Sequence, residues 1–131
     1  MQQVFQFLTG CPSFYLATVE GDQPRVRPFG ALCAFEDKLY ICTSKKKNVF
    51  AQIQNNPNVE ISATSATGEW VRITAKVVAD PSREAKAAML EANPNLKRVY
   101  TLDDDIFAVF YLKDATAVFR SFKGRNDTVT F

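Results

Sequence analysis

The stretch Arg25 to Asn48, RVRPFGALCAFEDKLYICTSKKKN, constrains the fold most, because it reads as a β-hairpin that runs directly into a helix. In strand alternation Arg25, Arg27, Phe29, Ala31, Cys33 and Phe35 share one face, so two guanidiniums extend an otherwise apolar line. Pro28 interrupts the other face. Proline has no N–H to give to a ladder, so this strand lies at a sheet edge or turns backbone toward something other than a neighbouring strand, such as a bound ligand. Glu36-Asp37 turns the chain, and Leu39 to Cys42 is a short apolar strand. Thr43 and Ser44 are helix N-cap types, after which Lys45, Lys46 and Lys47 are expected to fill the first helical turn.

Lysine has the wrong sign for a helix start. That end carries about half a positive charge and favours acidic residues, each by about 0.3–1 kcal/mol, so three lysines there cost stability unless an anion sits among them. Helix N–H groups, two hydroxyls and several ammonium groups converging on one point describe a phosphate site. Taken alone, the lysine run would be a solvated face, and Arg25 and Arg27 would be ordinary exposed strand residues. Their juxtaposition with Pro28 suggests instead a flat, phosphorylated cofactor lying along the hairpin.

The rest of the chain supplies a small β-rich frame. Residues 2–9 place Val4, Phe5 and Leu8 on one helical face, stopped by Gly10 and Pro12. Phe14 to Val19 is the first strand, residues 20–23 are a turn, and Pro24 to Phe35 is one long second strand. Lys38 to Cys42 is the third. A helix from about Lys46 to Gln54 buries Val49, Phe50 and Ile53 and ends at Asn55-Asn56-Pro57. Val59 to Ala63 and Glu69 to Val78 are two further strands, and Pro81 or Ser82 opens a third helix that runs to about Glu91. Residues 93–105 form a loop with a helical turn at Leu96 to Val99. A sixth strand, apolar on both faces through IFAVFYL, and a seventh from Ala115 to Phe122 follow, before a polar turn at Gly124 and a last apolar segment, Val129 to Phe131. Phe107, Val109 and Tyr111 belong either to the barrel wall or to an interface. Six or seven antiparallel strands with inserted helices predict a small barrel.

With 131 residues, residues 1–131 are expected to form a single domain, and 47% apolar content marks it as globular. A formal net charge of +2 with acids spread throughout argues for neither nucleic acid nor membrane. The opening MQQVFQFLTGC has no basic leader, which predicts a cytoplasmic protein. Cys11, Cys33 and Cys42 lack CxxC spacing and read as buried thiols. The absence of histidine removes Ser-His and Cys-His nucleophile pairs and histidine ligation of zinc or haem. Any chemistry here is then carried by a cofactor or is absent. The run Asp103 to Asp105 reads as a solvated loop, with no metal motif around it.

The succession RVRPFG, hairpin, CTSKKKN and a helix ending in NNP resembles the FMN-binding split-barrel superfamily of pyridoxamine 5′-phosphate oxidase-like proteins. The resemblance spreads over most of the chain. It implies a mainly β fold, an antiparallel split β-barrel of six to seven strands with peripheral helices, working as a homodimer with two FMN sites across the two-fold interface. A barrel this small offers little concave surface, and ligand pockets favour interfaces, which points the same way.

The resemblance assigns Arg25, Val26, Arg27 and Pro28 to the segment that lines the flavin. It assigns Cys42, Thr43, Ser44, Lys46 and Lys47 to the phosphate-binding segment, Lys47 being the first choice among the lysines. It brings Trp70, in the strand EWVRITA, close to the ring, with Ala75 standing where the family usually has glycine. Authentic pyridoxamine 5′-phosphate oxidases end in a Trp followed by an Arg-Leu-His-Asp-Arg type run, whereas this chain stops at RNDTVTF. The expected function is therefore FMN-dependent hydride transfer on a substrate other than pyridoxamine 5′-phosphate. A non-catalytic flavin carrier or sensor, a deazaflavin or haem binder, and a binder of an unrelated phosphorylated metabolite remain open alternatives.

Overall fold

The structure, a computed structural model, describes residues 1–131. In chain order the elements are α1 (Gln2–Thr9), β1 (Phe14–Glu20), β2 (Gln23–Phe29), β3 (Leu32–Phe35), β4 (Lys38–Ser44), α2 (Asn48–Asn55), β5 (Asn58–Thr64), β6 (Trp70–Ala79), α3 (Arg83–Ala92), a 3₁₀ turn (Pro94–Arg98), β7 (Phe107–Arg120) and β8 (Asn126–Thr130). The strands join in one antiparallel sheet in the order β2-β1-β5-β6-β7-β4-β3, with β8 beside the second half of β7. The two edge strands of this order, β2 and β3, are consecutive in the chain and separated only by Gly30 and Ala31. The sheet must therefore curl until its edges meet. This is the split barrel: closed by the chain, open in its hydrogen bonds between β2 and β3.

The strand count is eight rather than six or seven, for three physical reasons. The expected single strand Pro24 to Phe35 divides at Gly30-Ala31, because its first half pairs with β1 and its second with β4. The expected sixth and seventh strands are one 14-residue strand, β7. Asp114, with φ of 51°, sits at a bulge where Thr116 faces Thr74 and Lys113 faces Lys76, so the ladder bends there without ending. The C-terminal segment adds β8. Placing β2 at the edge also explains Pro24 and Pro28, whose missing N–H groups leave no central ladder broken.

Inward residues of the strands fill the barrel with one apolar cluster: Phe14 and Leu16 of β1, Ile61 of β5, Val71 and Ile73 of β6, Ala117 and Phe119 of β7, each 2% exposed or less. Val4 and Leu8 of α1 and Val49 and Ile53 of α2 join it. A second cluster lies on the other side of β3, β4 and the first half of β7, where α3 covers Cys33, Tyr40, Cys42, Phe107 and Val109 with Ala85, Met89 and Leu90. Phe107 and Val109, with Tyr111 at the margin, thus pack under α3. This is why IFAVFYL is apolar on both faces. Ser82 caps α3, its Oγ accepting from the Ala85 N–H at 3.2 Å. No helix is long and apolar enough to cross a membrane.

Candidate functional site

A cleft opens where β2 breaks into β3, beside the start of α2. Arg27, Pro28, Phe29, Gly30 and Ala31 form one wall, Cys42 and Thr43 of β4 the floor, Lys47 and Val49 one end, and Leu96 and Tyr100 the other. Its cavity holds about 200 Å³. An adjoining depression of about 440 Å³, lined by Arg25, Val26, Asn48 and Gln52 among others, shares Arg27, Lys47 and Val49 with it. The two together reach the size class of small-ligand sites, roughly 300–1,000 Å³.

The central group is Arg27. Its Nη1 donates to the Leu16 carbonyl at 3.2 Å and to Thr18 Oγ1 at 2.7 Å, while Nη2 donates to Gln52 Oε1. All three acceptors are neutral. No carboxylate lies within ion-pair distance of Arg27, whereas Arg25 is paired with Glu20 at 3.0 Å. Partial burial, and secondarily the charge of Arg25, pull the Arg27 pKa below its ordinary value. The guanidinium is a half-buried cation whose charge nothing in the chain compensates. That is the electrostatic signature of an anion site.

The lysines stand differently from the expectation. α2 begins at Asn48 with Lys47 as its N-cap, so Lys45 to Lys47 form the turn before the helix and not its first turn. Ser44 does not cap the helix; its Oγ accepts from the Lys46 N–H at 3.2 Å, and Lys45 N–H continues the β4–β7 ladder to Ile106 O at 2.7 Å. The reason is the length of β4, which pairs with β7 as far as Ser44↔Phe107 and delays the helix. α2 has no side-chain cap, and the Asn48 and Val49 N–H groups find no acceptor in the chain. Two free helix-start amides therefore follow directly on Lys47, beside the cleft that Lys47 and Val49 line.

None of the cleft's weak acids titrates near neutrality. Burial, reinforced by nearby Cys33, pushes the Cys42 thiol up to about 12 despite the opposing Lys47 charge. Burial likewise raises Tyr100, whose ring stacks on Phe107 at 4.6 Å.

A family model described as pyridoxamine 5′-phosphate oxidase matches residues 1–112. The chain belongs to the pyridoxamine 5′-phosphate oxidase family. Among solved structures it is similar to a NimC/NimA family protein from Clostridium acetobutylicum, at 49% identity and a TM-score of 0.97, covering 100% of this chain and 92% of that one. It also shares its fold with a pyridoxamine 5′-phosphate oxidase-related, FMN binding protein from Nostoc punctiforme (16% identity, TM-score 0.65, 96% and 90% covered). A heme binding protein from Mycobacterium smegmatis shares the fold too (20% identity, TM-score 0.70, 92% and 53% covered). No curated protein matches the chain.

Of the residues that the family resemblance singles out, the fold brings Arg27, Pro28, Cys42, Thr43 and Lys47 around one cavity, with Arg25 and Val26 along its extension. Ser44 is buried and Lys46 is exposed, and neither lines the cleft. Trp70 does not line this cleft; it lies at the start of β6, its ring 5.2 Å from that of Phe122. Gln52, Tyr100 and Leu96 escaped sequence reasoning. Gln52 alone had a signal, an amide on the helical stripe of Val49 and Ile53.

Proposed function

We propose that the chain binds FMN in this cleft and acts as a flavin-dependent oxidoreductase of small molecules, as a homodimer. The observation that carries this reading is Arg27, a positioned and uncompensated cation, lining the cleft together with Lys47 and Val49 at the start of α2, where the Asn48 and Val49 amides are free. A ligand that satisfies this group of donors carries a phosphate and an electron-rich polar edge. FMN has both.

When bound, FMN supplies hydride transfer at its ring. The chain's own share is binding and electrostatics. Lys47 and the α2 amides hold the phosphate, with the buried Thr43 lining the same cleft. Pro28, Gly30 and Ala31 line the path of the ring with backbone, and Gly30 leaves open space where a side chain would stand. Arg27 stabilises negative charge on the ring's polar edge. With no histidine and with Cys42 and Tyr100 raised, protons at neutral pH come from solvent rather than from the cleft wall.

The cleft is open, and Val26 beside it is 69% exposed, so a second protomer is the natural lid. In such a dimer Trp70 is available to the partner's cofactor. The absence of histidine leaves pyridoxamine 5′-phosphate turnover without the residues of the authentic oxidases. Replacing Lys47 with Ala tests the phosphate end: FMN binding should weaken about tenfold, the value of one charge-assisted contact of about 1.5 kcal/mol. Unchanged binding would remove the phosphate from this end of the cleft.

A further inference from the structure

Four polar residues are buried, and two of them, Thr18 at 2% exposure and Gln52 at 5%, meet at Arg27. Gln52 occupies a helix position where Val49 and Ile53 set an apolar stripe, and such local violations of pattern concentrate at functional sites. The Thr18 hydroxyl donates to Gln52 Oε1 at 2.6 Å, so the two oxygens stand side by side, one accepting from Nη1 and the other from Nη2. Together they fill the end-on edge of the guanidinium. Three of its five N–H groups are then engaged, and the Nε–H with the remaining Nη2–H, which share the side-on edge, have no acceptor in the chain. No buried side-chain atom lacks a partner, so the unpartnered Arg27 Nε is accessible to solvent, and Arg27 lines the cleft.

We propose that Gln52, with Thr18, is a positioning residue that aims the side-on fork of Arg27 at an anionic or imide-like edge of the bound ligand while leaving the arginine's charge uncompensated. The neutrality of the amide is the essential property. A glutamate at this position would accept the same hydrogen bonds, but would neutralise Arg27 from behind, as Glu20 neutralises Arg25. Gln52 thus does for Arg27 what no carboxylate could: it fixes the group without satisfying it. This rests on the flavin reading above for the identity of the ligand, but not for the geometry.

Two substitutions separate orientation from charge. Gln52→Glu keeps the acceptor and removes the net positive charge; Gln52→Met keeps the length and removes the acceptor. Both should raise the FMN dissociation constant at least tenfold, measured by fluorescence titration. Gln52→Glu should do so with a melting temperature no lower than that of the wild type, a combination that a purely structural role would not produce. In the unliganded protein, the Arg27 Nε–H resonance should be sharp in the wild type and exchange-broadened in Gln52→Met. Binding of FMN by either variant within twofold of the wild type would overturn the proposal. If the wild type itself takes up no FMN, the flavin reading fails separately, and an Arg27 resonance unchanged in Gln52→Met would then overturn the positioning role.

Discussion

Replacing Arg27 with Met should separate ligand binding from folding. In the free protein the substitution deletes three donated hydrogen bonds, to Leu16 O, Thr18 Oγ1 and Gln52 Oε1. Each is worth about 0.5–1.5 kcal/mol net, but Thr18 still donates to Gln52, so neither buried side chain is stranded. The lost bonds are offset by removing a half-buried charge that no acid balances. The expected change in stability is therefore small, within about 1 kcal/mol. Ligand binding loses far more. Two charge-assisted hydrogen bonds at about 1.5–3 kcal/mol each, discounted because the cleft is open to water, leave about 3 kcal/mol, or about 150-fold in affinity. Arg27→Lys keeps the charge without the fork and should lose about tenfold. Urea denaturation and titration with FMN measure the two effects on the same samples. An Arg27→Met protein that binds FMN within threefold of the wild type would refute the assignment. So would one that is destabilised by more than about 3 kcal/mol, because Arg27 would then be a structural residue.

Two further outcomes follow from the fold. Glu36 and Asp37 both adopt left-handed conformations, with φ of 50° and 59°, in the two-residue turn between β3 and β4. That turn suits Asn-Gly, so the double substitution Glu36→Asn, Asp37→Gly should stabilise the protein by about 1 kcal/mol and raise the melting temperature by about 4 °C; no gain would mean that the turn carries no strain. Cys33 and Cys42, pushed up by burial to about 11 and about 12, should resist iodoacetamide at pH 8 in the native protein and react fully in urea, and rapid native alkylation counted by mass spectrometry would contradict their burial.

Local patterns made most of the frame readable. Alternation gave β1, β5 and β6 to within a residue or two, and Pro81 or Ser82 marked the start of α3, where the structure has Ser82 as the N-cap. What stayed hidden was set by pairing at a distance. Nothing local announces that the chain leaves β1 and joins β4 at Gly30-Ala31, since Arg27, Phe29, Cys33 and Phe35 keep their alternation across the break. The break nevertheless moves Phe29 to the barrel core and Cys33 to the layer under α3. Asp114 reads as the end of a strand, yet opposite Ala75 it is only a bulge, because β6 pairs with β7 on both sides of it. At the site, Arg27 and Lys47 were legible from their own segment. Tyr100 and Gln52 were not, for their relation to Arg27 depends on how the 3₁₀ turn and α2 close over the barrel. The lysine run was placed one turn too late, inside the helix, because the β4–β7 pairing that delays the helix is long-range.

The most direct test of the central claim is the visible absorption spectrum of the freshly purified protein, followed by identification of what heat denaturation releases. The account predicts a flavin spectrum and released FMN in about one equivalent per chain, or uptake of added FMN to that level by colourless protein. A colourless protein that takes up no added FMN would contradict it, and the uncompensated Arg27 would then have to serve some other anion.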